Sequence, residues 1–194
     1  MCIRDRTHTK SFNFKRIAHG LDVEPLLKLL DAKPELWKEI QTRQKFTNTP
    51  HKDTECIYVR GALKMSTYYV IWDIGAYDYP CMEYFKSALV PLMRPILDKL
   101  KVKEMGRVLI VNLKSSGHVT KHIDQGTYAD HYERFHLVLK SNQHCFQTSG
   151  NERQRFEVGE VWWFNNKKLH TAHNIGDTDR THIIFDAVIS EELQ

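Results

Sequence analysis

From Gly106 onward the chain divides into eight short segments rich in β-branched and aromatic residues: RVLIVNLK, HVTKHI, RFHLVLK, HCFQTS, RQRFEV, EVWWFNN, HTAHNI and RTHIIFDAVI. Turn residues separate them at intervals of about 8–12 residues. Short strands with alternating faces need a second sheet to bury their apolar side, so such a run suits a small antiparallel sandwich or barrel. The double-stranded β-helix, or cupin-type jelly roll, fits that strand count.

The first half reads as mainly helical. DVEPLLKLLDA offers Asp22 as a cap, Pro25 in the first turn and Leu26, Leu27, Leu29 and Leu30 as apolar content. PELWKEIQ follows with helical spacing, and CIYVRG and STYYVIWDI are strand candidates. YPCMEYFKSALVPLMRPILDKL places Phe85, Leu89, Leu92, Met93, Ile96 and Leu97 on about one face, with Pro91 and Pro95 inside. Those prolines predict a kink or two shorter helices. The expected class is therefore α+β: one domain over 1–194, with 11–105 as largely helical support and 106–189 as the jelly-roll core carrying the site.

Composition narrows the function. The chain has 194 residues, 41% hydrophobic and 27% charged, which suits one globular domain. A formal charge of +4 is compatible with a small acidic ligand and too weak and scattered for nucleic acid. No apolar run approaches the roughly 20 residues of a membrane span. Cys2, Cys56, Cys81 and Cys145 lack zinc-knuckle spacing and read as free thiols of a cytoplasmic protein. The start MCIRDRTHTK is charged, has no signal-peptide core and looks like a spurious translated start, so residues 1–10 are expected to be non-native or disordered.

Histidine is the anomaly. Of eleven, eight fall between His118 and His182. A strand aims residues i and i+2 at one point, so H-x-D or H-x-E on a strand can supply two of the three ligands of a mononuclear iron site. The chain holds three such pairs: His51/Asp53, His122/Asp124 and His131/Glu133. HKD sits in a polar stretch beside Pro50 and reads as a solvated loop. HYE lies at a loop or strand entry, whereas HID follows a strand candidate. Forty-eight residues after His122 stands His170, and ten further on Arg180 opens an apolar strand. An arginine there suits a clamp on a carboxylate. Arg134 and His136 share one strand face between them.

The order H-x-D, R-x-H, then H with an arginine ten residues later resembles the aspartyl/asparaginyl β-hydroxylase family of 2-oxoglutarate-dependent oxygenases. GEVWWFNNKKLHTAHNIG is also similar to the distal-histidine segment of the small proline hydroxylases. The resemblance spans about residues 106–189. It implies that His122, Asp124 and His170 bind Fe(II), that Arg180 grips the far carboxylate of 2-oxoglutarate, and that Arg134 and His136 also contact that co-substrate. O2 is the implied oxidant. The animal peptide-hydroxylating members carry glycine where Asp124 stands, so the complete triad here sits nearer the bacterial amino-acid hydroxylases.

Other residues are placed around this site. His170 and His173 face opposite ways on a strand, so both cannot ligate, and the resemblance implies His170. Asn174, His182 and Trp163 are candidates for the pocket wall or for support of the ligands. Asp130, His131 and Glu133 fall in a loop that covers the substrate or serves structure alone. The expected activity is hydroxylation of an amino acid, free or in a peptide, with release of succinate and CO2. The alternatives are a lipid acyl-chain hydroxylase and a cupin-like protein that binds metal or carboxylate without turnover.

Overall fold

The computed structural model describes residues 11–46, 48–64, 70–190 and 193. Two antiparallel sheets face each other. Strands β1 (Phe14–Ala18), β2 (Thr54–Gly61), β3 (Tyr77–Asp78), β4 (Val102–Leu113), β6 (Glu133–Lys140), β9 (Val161–Phe164) and β11 (Arg180–Ile189) form a seven-stranded sheet in the order β1-β9-β6-β11-β4-β2-β3. The smaller sheet has β5 (His118–His122), β7 (Cys145–Ser149), β8 (Glu152–Gln154) and β10 (His170–Asn174) in the order β5-β10-β7-β8. This is the expected jelly roll.

Period-two alternation assigns each face of the large sheet. Ile57, Val59, Val108, Ile110, Phe135, Leu137, Ile183 and Phe185 belong to the main core. The side chains between them, including Tyr58, Leu109, Arg134, His136, Arg180 and Ile184, line the cavities on the opposite face. The core is closed by helices α1 (Glu24–Ala32) and α3 (Cys81–Lys99), which contribute Leu26, Leu30, Phe85, Leu89 and Ile96. A 3-10 helix (Pro34–Lys38) and the short α2 (Thr42–Lys45) lead from α1 to β2, and α4 (Thr127–His131) joins β5 to β6. Asp22 was expected as the cap of α1; the N-cap is instead Val23, and Asp22 lies one residue before it, with Oδ1 accepting the Glu24 N–H at 3.1 Å. Phe85 is fully buried. Phe85→Ala is expected to cost about 3–5 kcal/mol, read as a lower urea midpoint.

Several expectations need correction. Two shorter helices are not formed at Pro91 and Pro95, which lie within one continuous helix. Both are exposed, so the backbone carbonyls they leave without an N–H partner face water. The first half also supplies β1, which pairs with β9. The five residues FKRIA carry too little pattern to reveal it. Of STYYVIWDI, residues 66–69 lie outside the described residues, and Val70 and Ile71 are helical rather than extended. RQRFEV forms strand only as far as Gln154. Residues 1–10 lie outside the described residues.

Candidate functional site

β5 and β10 run antiparallel with His170 directly opposite His122. The chain leaves β5 at His122 and places Asp124 two residues later, where its backbone N–H donates to Asn166 O at 3.1 Å. One ligand atom from each of His122, Asp124 and His170 lies within 4.8 Å of the others. The two imidazoles are 4.2 Å apart between centroids, and His122 Nε2 is 3.5 Å from Asp124 Oδ1. Sequence separation is thus erased by strand register.

The ring nitrogens have distinct tasks. His122 Nδ1 donates to Thr120 O at 2.8 Å, and His170 Nδ1 donates to Lys168 O at 2.9 Å. Each backbone carbonyl fixes the tautomer and leaves Nε2 as a lone pair for a metal. Burial is the main reason both histidines stay neutral: it lowers His122 and takes His170 down to about 4. Burial alone would raise Asp124, but Arg134, His170 and Asn166 together hold its carboxyl well below the usual range. Two neutral imidazoles and one ionised carboxylate are the donor set preferred by nonheme Fe(II).

Asp124 Oδ2 accepts from Asn166 Nδ2 at 2.9 Å and from Arg134 Nη1, which leaves Oδ1 toward the histidines. Arg134 in turn donates from Nε to Asp186 Oδ1 at 2.8 Å and from Nη2 to Asp186 Oδ2 at 3.0 Å. All three of its nitrogens are therefore engaged by carboxylates. Arg134 was expected at the co-substrate; it lines the inner pocket described below, and its observed contacts also orient Asp124. Asp186→Asn should lower Mn(II) affinity about 10–100-fold although Asp186 is not itself a ligand. Calorimetric titration measures this, and unchanged affinity would remove Arg134 from the support of Asp124.

Two cavities meet at the triad. An inner pocket of about 50 Å³ is lined by His136, Gln147, Phe164, His170, Arg180 and Ile184, among others. Arg180 is buried; its Nη2 lies 3.1 Å from Gln147 Oε1 and 3.0 Å from His182 Nδ1. Among the described residues no carboxylate pairs with it. Burial lowers Arg180 to about 10, still charged at neutral pH. An uncompensated guanidinium in this position suits an anionic ligand. His136 Nδ1 is 3.1 Å from His182 Nδ1, and burial, followed by Arg180, keeps both histidines well below the ordinary value. The Nε2 atom of each is buried without a partner. His182 thus braces Arg180.

The outer cleft, of about 370 Å³, is lined by Arg43, His51, Tyr58, Arg107, Asp124 and Tyr128 with further apolar residues. His51 was expected in a solvated loop. It is instead half-buried, with its ring 5.2 Å from that of His122 at 86°. Its tertiary neighbours, far away in sequence, account for this.

Two other placements differ from expectation. Asn174 is fully buried and supports neither ligand histidine: Nδ2 donates to Leu113 O, Lys114 O and Thr178 O, and so ties the end of β10 to the neighbouring turns. Trp163 belongs to the helix-side core and donates to Glu133 Oε2 at 2.6 Å. Trp162, on the other face, stacks on Phe156 at 5.0 Å, and neither tryptophan is among the residues lining the two cavities. His131 meets Glu104 at 3.2 Å, so the HYE pair serves structure. His173 faces outward from His170 and stacks on Phe146 at 4.8 Å.

The architecture is shared with solved oxygenases. A prolyl hydroxylase from Trichoplax adhaerens, solved with a hypoxia inducible factor peptide fragment, aligns over 91% of this chain and 84% of its own at 11% identity, with a TM-score of 0.54. A 2OG-Fe(II) oxygenase family oxidoreductase from Burkholderia pseudomallei aligns over 69% and 67% at 10% identity, TM-score 0.52. The fold is therefore that of the 2-oxoglutarate/Fe(II) oxygenases. The model of the Aspartyl/Asparaginyl beta-hydroxylase family matches residues 35–189, and the chain belongs to that family of hydroxylases. In sequence it is also similar to L-proline cis-4-hydroxylase of Rhizobium meliloti, 27% identical over 77 residues, which is 40% of this chain and only 28% of that protein.

Proposed function

We propose that this protein is an Fe(II)- and 2-oxoglutarate-dependent dioxygenase that hydroxylates an amino acid, free or within a peptide, and releases succinate and CO2. The observation that carries this reading is the adjacency of the His122–Asp124–His170 cluster to a buried arginine with no acid partner among the described residues. His122 Nε2, His170 Nε2 and Asp124 Oδ1 would hold the iron. Arg180 would receive the far carboxylate of 2-oxoglutarate, with Gln147 and His136 beside it. The bound iron and 2-oxoglutarate supply the oxidising chemistry, in which O2 oxidatively decarboxylates the co-substrate and hydroxylates a C–H bond.

The protein's own work is positional. Thr120 O and Lys168 O hold the imidazoles in the ligating tautomer. Arg134, set by Asp186, directs one oxygen of Asp124 toward the metal position. The apolar walls Leu113, Phe164 and Ile184 exclude water from the co-substrate pocket. A binding protein without turnover has no need of a second anion pocket against its metal cluster. No helix among the described residues is long and apolar enough to cross a membrane. The test is succinate formation with Fe(II), 2-oxoglutarate, O2 and an amino-acid and peptide panel. Succinate that requires all of these supports the reading; no succinate together with no 2-oxoglutarate binding contradicts it.

A further inference from the structure

Three arginines line the outer cleft, and two are committed. Arg134 is bound by Asp124 and Asp186. Arg107 lies 3.5 Å over the Tyr128 ring and donates to Val70 O at 2.7 Å and Asp73 O at 3.3 Å. Arg43 differs. Its Nη2 donates to the neutral His51 ring, 2.9 Å from Nε2, and its Nη1 is buried with no hydrogen-bond partner. No carboxylate among the described residues pairs with it. The one acid lining this cleft is Asp124, whose oxygens serve Arg134, Asn166 and the triad. Cys56, whose sulfur Arg43 also reaches, is only a weak acceptor and does not neutralise the charge, because burial pushes its thiol up to about 11. A buried guanidinium donor with no acceptor is costly unless a ligand supplies one.

Arg43 also stands where a substrate would need to be held. It lines both cavities, and it donates to His51, whose ring packs against that of His122. The rest of the cleft wall includes Tyr58, Val70, Ile71, Leu109 and Ala129, an apolar lining suited to an aliphatic body. We propose that the outer cleft takes a small free carboxylic acid with an apolar body, such as an unmodified aliphatic or cyclic amino acid, and that Arg43 receives its carboxylate. An internal residue of a peptide has no carboxylate at that position and would leave Nη1 unsatisfied. This inference rests on the oxygenase reading above and names the substrate class of that site.

The test titrates the full chain, loaded with Mn(II) and 2-oxoglutarate without O2, with the free proteinogenic amino acids. Each acid that binds is then compared with its primary amide and with its N-acetyl, N-methylamide form. At least one apolar free acid should bind, and its amide should bind about ten-fold more weakly or worse. Arg43→Ala should abolish that preference while leaving Mn(II) and 2-oxoglutarate affinity in place, and Arg43→Lys should restore part of it. Equal binding of acid and amide by the unmodified chain overturns the proposal without recourse to any variant, as does failure of every free acid to bind. Failure of 2-oxoglutarate itself to bind the Mn(II)-loaded chain overturns the oxygenase reading instead.

Discussion

His170→Ala is expected to reduce Mn(II) affinity by more than about 100-fold and to abolish 2-oxoglutarate-dependent succinate formation. First-ligand loss should exceed the about 10–100-fold typical of an outer-shell partner. The variant should still fold. His170 lies at the start of β10, buried against His122 and Phe164, and the strand's backbone pairing with β5 and β7 does not depend on its side chain. His173→Ala is the matched control, three residues along the same strand but facing outward onto Phe146. Metal titration of the two variants separates the faces of β10. Equal loss in both, or retention of tight binding in His170→Ala, would remove His170 from the ligand set.

Arg180→Ala carries the second large effect. Truncating one member of a buried, hydrogen-bonded charge pair costs about 2–5 kcal/mol, which is roughly 30-fold to several thousand-fold in affinity. The loss should appear in the Kd and KM for 2-oxoglutarate, whereas Mn(II) affinity in the absence of co-substrate stays near that of the unmodified chain. Without its co-substrate the apo-protein should be little destabilised, and could gain stability, because the uncompensated buried charge is removed. His182, which accepts from Arg180 at 3.0 Å, then loses its donor, so His182→Phe is expected to show a milder form of the same 2-oxoglutarate defect. Unchanged 2-oxoglutarate affinity in Arg180→Ala would contradict the assigned role.

Much of this was legible in the chain. Eight short strands were enough to expect the jelly roll, and the resemblance carried by H-x-D, R-x-H and a later histidine with an arginine ten residues on brought His122, Asp124, His170 and Arg180 together. Alternation did the rest, since Arg180, His182 and Ile184 share the inward parity of β11. The same parity includes Asp186, which passed unnoticed because its partner Arg134 lies 52 residues earlier, on the neighbouring strand. Local pattern cannot show which acid an arginine meets across a sheet. Arg43 and His51 were missed for a related reason: a polar stretch reads as solvated until tertiary packing brings it against the site. Asn174 and Trp163 were displaced in the other direction. One is tied into a turn and the other belongs to the helix-side face of β9, a parity that Val161 beside it already marked.

The central claim is that one metal and one 2-oxoglutarate occupy adjoining positions and contact each other. Calorimetric titration with 2-oxoglutarate, without O2, of the metal-free and the Mn(II)-loaded chain tests it most directly. We expect one-site binding that is at least about ten-fold tighter with metal present, and an equal tightening of Mn(II) by 2-oxoglutarate, because coupling between two ligands is reciprocal. Affinity for 2-oxoglutarate that is indifferent to the metal would contradict it.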